Sequence, residues 1–154
     1  MDSKPPSTNC IQIVPLTEEH IKEIAELEKE CFPDPWNEEM FVQLLSNPLA
    51  VFITAVYDGK VVGYAGIYHI LTEGQLMNIA VKEDLRRRGI AEKMFEYLLE
   101  YGKENDIEVI TLEVRENNTP AISFYEKIGF EKVGIRPGYY SHPTEDAVLM
   151  NYSV

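Results

Sequence analysis

Apolar and polar positions change period repeatedly along this chain, and the changes mark its elements. Ile11 and Ile13 alternate with polar neighbours, a short strand ended by Pro15. Thr17 is placed to cap a helix that carries Ile21, Ile24, Leu27 and Cys31 on one face, with Leu16 and Ile21 at staple spacing. Pro33 and Pro35 end that helix. Asn37 is placed to cap a second one, bearing Met40, Phe41, Leu44 and Leu45, with Trp36 and Phe41 repeating the staple. Residues 51–57 and 61–70 are β-rich runs on either side of Asp58-Gly59, a two-residue hairpin signal, and 75–81 is a third. These three predict an antiparallel meander.

From Gly89 the period becomes helical, with Ala91, Met94, Phe95, Leu98 and Leu99 on one face. Residues 108–114 read as a strand entered from that helix, so a right-handed crossover predicts parallel pairing. A helix over 118–128 stops at Gly129, and strands at 130–135 and 147–152 are joined by a long aromatic loop over 137–145. The pattern predicts an α/β (α+β) fold, one domain over 10–154 after a disordered lead-in at 1–9.

Composition narrows the function. With 26% charged and 45% hydrophobic residues the chain reads as an ordinary soluble globular protein, and no apolar run approaches the roughly 20 residues that span a bilayer. The N-terminal residues lack the apolar stretch of a secretory signal, so a cytoplasmic location is expected. A formal charge of −12 opposes nucleic-acid binding. The same acidity either attracts a basic partner or simply keeps the protein in solution. Cys10 and Cys31 have neither C-x-x-C spacing nor a histidine cluster, so no metal site is expected. Cys31 on an apolar helix face reads as an inert thiol rather than a nucleophile.

Three consecutive arginines, Arg86, Arg87 and Arg88, precede Gly89, Ile90 and Ala91 at the start of the long amphipathic helix. A helix start offers backbone N–H groups and the positive end of the dipole, and glycine lets an anion approach closely. Either an anionic ligand or a solvated basic loop accounts for the run. On the 108–114 strand, Ile110, Leu112 and Val114 share one face and Val109, Thr111 and Glu113 the other. That places the Glu113 carboxylate at a strand's C-terminal end, where α/β sheets gather ligands, unless it is merely solubilising. Tyr125, by spacing alone, is either core or catalyst.

Arg86-x-x-Gly89-x-Ala91 matches the Q/R-x-x-G-x-G/A signature of the GNAT acetyltransferases, and the chain resembles that superfamily. Asn78-Ile79-Ala80-Val81 is similar to its fourth strand, and Asn118-x-x-Ala121-x-x-x-Tyr125-x-x-x-Gly129-Phe130 to its second CoA-contacting motif. Leu112-Glu113-Val114-Arg115, Gly138-Tyr139-Tyr140, Glu145-Asp146-Ala147, Cys31-Phe32-Pro33 and Pro35-Trp36 resemble the N-terminal acetyltransferases of the RimI type. The resemblance implies a mixed, mostly antiparallel seven-stranded sheet with a central parallel pair and about four helices. It implies acetyl-CoA as co-substrate, held by Ile79, Ala80, Val81, residues 86–91, Asn118, Ala121 and Tyr125, with no metal. It further implies acetylation of a protein N-terminus, the N-terminal alanine of a basic small-subunit ribosomal protein.

In that reading Glu113 is the general base, through a water, because an ordinary glutamate near about 4.3 is a poor direct acceptor. Tyr125 protonates the departing thiolate, and amides around Ile79 and Val81 polarise the thioester carbonyl. Phe32, Trp36, Tyr139 and Tyr140 either wall a peptide groove or pack as ordinary aromatics. His142 is an alternative base, whereas His20 and His69 read as structural or solvated. An α-amine is the easier acceptor, because neutralising a lysine costs about 3.5 kcal/mol more at neutral pH. A small amine or protein lysine as acceptor, and a CoA-binding module without catalysis, are the competing readings.

Overall fold

In the computed structural model, which describes residues 10–154, the chain runs β1 (Gln12–Pro15), α1 (Ile21–Cys31), α2 (Glu38–Leu45), β2 (Ala50–Tyr57), β3 (Lys60–Ile70), β4 (Glu73–Val81), α3 (Ile90–Glu104), β5 (Val109–Arg115), α4 (Thr119–Ile128), β6 (Glu131–Tyr140) and β7 (Glu145–Ser153). The lead-in expected at 1–9 lies outside the described residues. The seven strands take the order β1-β2-β3-β4-β5-β7-β6. The β4–β5 pair is parallel, while β1–β2, β2–β3, β5–β7 and β6–β7 are antiparallel. The mixed α/β sheet with its parallel pair and four helices agrees with the expectation.

The chain forms two compact units, one holding the residues up to Tyr68 with Met77–Tyr101, the other His69–Leu76 with Gly102–Val154. In the first, Asp58 and Gly59 both have positive φ (52° and 75°), the backbone of a primed hairpin turn, and they set Tyr57 opposite Lys60. Asn37 caps α2 by accepting the Met40 N–H through its side chain. Thr17 precedes a single 3-10 turn, Glu18–His20, rather than α1 itself, and donates its N–H to His20 Nδ1 at 3.0 Å. That contact gives His20 a structural task. Leu16, Ile21, Ile24, Leu27, Phe41, Leu44, Phe52, Val61, Tyr64 and Ala80 make the core.

In the second unit β5 alternates as its sequence requires: Ile110, Leu112 and Val114 are buried, and Val109, Thr111, Glu113 and Arg115 are partly exposed. β7 lies antiparallel beside it, with Glu113 opposite Leu149. The loop expected over 137–145 is mostly strand. β6 continues to Tyr140, and only 141–144 turn the chain into β7. Pro137 and Gly138 read as loop signals, but they fall in a register shift between the pairs Arg136–Ala147 and Tyr140–Glu145. Gly138 has φ +62°, and its N–H donates to Asp146 Oδ1 at 2.9 Å. The irregularity thus absorbs both residues without ending the strand.

Candidate active site

In the first unit, β4 delivers the chain to a 3-10 turn (Glu83–Leu85), and residues 86–89 lead from there into α3. Arg87 and Gly89 take positive φ, 65° and 79°. Gly89 O accepts the Lys93 N–H at 3.0 Å, the first bond of the α3 ladder. The Ile90 and Ala91 amides therefore precede that ladder, at the positive end of a 15-residue helix. Such a helix start fits the diphosphate of a coenzyme A thioester.

The three arginines divide their work. All three are exposed, but Arg86 turns its head onto its own chain. Its Nε–H donates to Val81 O at 3.1 Å and its Nη2 to Cys31 Sγ at 3.3 Å. Arg86 thereby ties the loop to the end of β4 and to the end of α1. Cys31 sits half-buried, and burial pushes its thiol up, in keeping with an inert group. Ala80 and Val81 are buried and Ile79 is partly so. Phe32 and Trp36 pack partly buried against the unit's core, together with Tyr68 and Met77.

In the second unit the Glu113 carboxylate, 19% exposed, lies with Oε1 3.4 Å from Arg136 Nη1. Tyr139 hydrogen-bonds to Glu113, the chief reason its phenol is held above the usual range. The Tyr139 and Tyr140 rings meet edge to face at 5.0 Å. Each is capped by a guanidinium, Arg136 over Tyr139 at 5.2 Å and Arg115 over Tyr140 at 4.4 Å. Arg115 also pairs with Glu145 at 3.2 Å, and Glu145 Oε2 accepts the Asn117 N–H at 2.6 Å. This lattice fixes β5, the start of α4 and the β6–β7 hairpin around the carboxylate.

Tyr125 projects from α4 between the rings of Phe124 and Phe130, each 5.6 Å away. Burial, and secondarily Tyr140, push its phenol up to about 12, so it stays protonated well above neutrality. Asn118 acts on the helix: its side chain accepts the Ala121 N–H at 3.3 Å as the α4 N-cap. His142 lies exposed in the turn between β6 and β7. The second unit thus brings together Glu113, Tyr139 and Tyr140, with Tyr125 under the electrostatic influence of Tyr140.

Sequence reasoning passed over Arg136 and Glu28. Arg136 gave no signal because it lay beside the apparent loop. Glu28 did give one: it stands seven residues after Ile21 and four after Ile24, on the buried face of α1. Among the described residues no group of three His, Cys, Asp or Glu could hold a metal, and no helix is long and apolar enough to cross a membrane.

The acetyltransferase (GNAT) family model matches residues 21–130. A Bacillus subtilis protein named putative [ribosomal protein bS18]-alanine N-acetyltransferase is 38% identical over 133 residues, 86% of this chain and 88% of its own. An N-alpha-acetyltransferase of Saccharolobus solfataricus is 36% identical over 143 residues, 84% of this chain and 85% of its own. The crystal structure of the ribosomal-protein-S18-alanine N-acetyltransferase from Escherichia coli superposes with a TM-score of 0.84 at 28% identity, covering 94% of both chains. This chain belongs to the GNAT acetyltransferase family, as an N-acetyltransferase that takes its acetyl group from acetyl-CoA.

Proposed function

We propose that the acceptor is the α-amino group of a protein N-terminus, specifically the N-terminal alanine of a small-subunit ribosomal protein. Relatives from Bacillus subtilis and Escherichia coli carry names that specify bS18 alanine, and the −12 charge favours a basic partner. The observation that carries the reading is Glu113, a partly buried carboxylate held by Tyr139 and Arg136.

Acetyl-CoA supplies an activated acetyl thioester, and the Ile90 and Ala91 amides with Arg87 and Arg88 would hold its diphosphate. Ile79, Ala80 and Val81 would line its arm, with amides there polarising the thioester carbonyl. Asn118 and Ala121 serve the α4 start that carries Tyr125. Glu113 takes the proton of the incoming ammonium through a water, leaving a neutral amine to attack. The amine forms the C–N bond at the thioester carbonyl. As the C–S bond breaks, Tyr125, protonated at neutral pH, gives its proton to the thiolate and is restored by the proton the acylated nitrogen sheds. Phe32 and Trp36 of the first unit, and Tyr139 and Tyr140 of the second, are our proposed acceptor contacts.

Mass spectrometry on one alanine-initiated peptide with an internal lysine, free and N-terminally blocked, tests the acceptor. The expected result is one acetyl group on the free peptide's α-amine and none on the blocked one. Equal acetylation of both would assign the enzyme to lysines.

A further inference from the structure

Glu28 is 2% exposed in the last turn of α1, outside the chemistry assigned above. A buried carboxylate persists where its oxygens are satisfied, and here the donors are neutral. The Tyr64 hydroxyl donates to Oε2 and the Trp36 N–H to Oε1, the latter at 3.4 Å. The Glu28 main-chain carbonyl also accepts the Phe32 N–H at 2.9 Å. One residue therefore holds both ends of the segment Phe32-Pro33-Asp34-Pro35-Trp36. Within the segment Pro33 and Pro35 have no N–H to donate.

The network continues away from the segment. Asn78 Nδ2 donates to the Tyr64 hydroxyl at 3.1 Å, so Glu28 reaches β4 at the residue before Ile79. Aromatic contacts run parallel to it: Trp36 meets Phe41 at 5.6 Å, and Phe41 meets Tyr64 edge to face at 5.5 Å. Replacing Glu28 alone strands two buried donors, so stability by itself already favours an acceptor here. The network goes further, because it joins the proposed acceptor wall to the strand proposed to hold the thioester.

We infer that Glu28 is a positioning residue that sets the Phe32–Trp36 segment for the acceptor peptide. The inference rests on the acceptor reading above. Glu28→Met keeps the bulk and removes both side-chain acceptors, whereas Glu28→Gln keeps a carbonyl oxygen for the Trp36 N–H. Trp36 is the single tryptophan of the chain, so its fluorescence reports the segment directly.

In Glu28→Met the peptide KM should rise roughly three- to tenfold, the scale of one lost buried hydrogen bond, with kcat and the acetyl-CoA KM changing by less than about twofold. Trp36 emission should move to the red and its acrylamide quenching increase. Glu28→Gln should recover most of both effects. Tyr64→Phe, which keeps the ring and removes the hydroxyl between Glu28 and Asn78, supplies a second folded variant with a smaller change in the same direction.

Circular dichroism establishes folding for each variant. Unchanged Trp36 spectra and an unchanged peptide KM in folded Glu28→Met would overturn the positioning role. So would a shifted spectrum with an unchanged KM, because the segment would then not bear on the acceptor. Absence of free-terminus acetylation by the parent enzyme would overturn the acceptor reading itself, a separate result from either.

Discussion

Arg136 Nη1 stands 3.4 Å from Glu113 Oε1, so the carboxylate assigned to the acceptor amine already faces a cation of its own chain. A substrate ammonium must share that carboxylate with the guanidinium. Arg136 is 54% exposed, and exposed ion pairs are worth about 0.2–1 kcal/mol, which bounds the competition at roughly fivefold. Arg136→Gln should therefore lower the peptide KM by about 1.4- to fivefold at low ionic strength. Raising salt should shrink the difference, since exposed charges are screened. A KM that rises on substitution, at either salt concentration, would show that Arg136 holds the peptide instead.

Tyr125 makes a prediction about pH. A phenol serving as acid must be protonated, and burial raises it to about 12. A raised value moves the loss of the acid form upward, so Tyr125 should impose no alkaline decline below about pH 11. Because Glu113 takes the proton of the ammonium, the kcat/KM profile should stay level through the α-amine's own pKa of about 8. Tyr125→Phe should retain acetyl-CoA binding and lose turnover by roughly 10²–10⁴-fold at each pH. A parent profile that falls with an apparent pKa near 10 would mean an unperturbed phenol, and another residue as the acid.

The sequence made the helices and the meander readable because their signals are local. Asp58-Gly59, the Asn37 cap and the alternation along β5 each depend on a few neighbouring residues. The C-terminal hairpin was misread because Pro137 and Gly138 carry turn chemistry, whereas cross-strand pairing with β7 decides the outcome. The same limit applies to the site. Glu113 could be placed on its face by counting, but its pairing with Arg136, 23 positions away, exists only once β5, β6 and β7 are assembled. Arg86 fitted the signature, yet its attachment to Val81 O and Cys31 Sγ is a tertiary fact. Glu28 shares the buried face of α1, but its partners Tyr64 and Trp36 meet it only in the assembled unit.

Gly63 offers a test of the scaffold behind β4. A Cβ built there would lie 2.8 Å from the Ala80 carbonyl oxygen and 3.2 Å from Met94 Cε. The methionine can yield, but the backbone carbonyl is fixed in β4. Gly63→Ala should destabilise by about 2 kcal/mol, within the usual cost of overpacking, and lower Tm by roughly 4–8 °C. Thermal unfolding followed by circular dichroism measures this. A Tm within about 1 °C of the parent, equivalent to about 0.3 kcal/mol, would mean β3 and β4 separate easily at this point.

Glu113 itself provides the sharpest test of mechanism. Glu113→Gln preserves shape and the capacity to accept from Tyr139, but it removes the base. The loss should fall on kcat/KM and reach roughly tenfold at about pH 7 and roughly a hundredfold at about pH 6, the inverse of the neutral fraction of the amine. The α-amine titrates near about 8, so above that value most substrate arrives already neutral and needs no base. The deficit should therefore narrow by about tenfold for each pH unit below the amine's pKa and level off above it. A purely structural defect would instead depress the rate by the same factor throughout. Acetyl-CoA affinity, measured by calorimetry on the same protein, should stay within about twofold of the parent, because Glu113 is assigned to the amine alone. A pH-independent deficit would remove Glu113 as the base and leave it the task of holding Tyr139 and Arg136 in place.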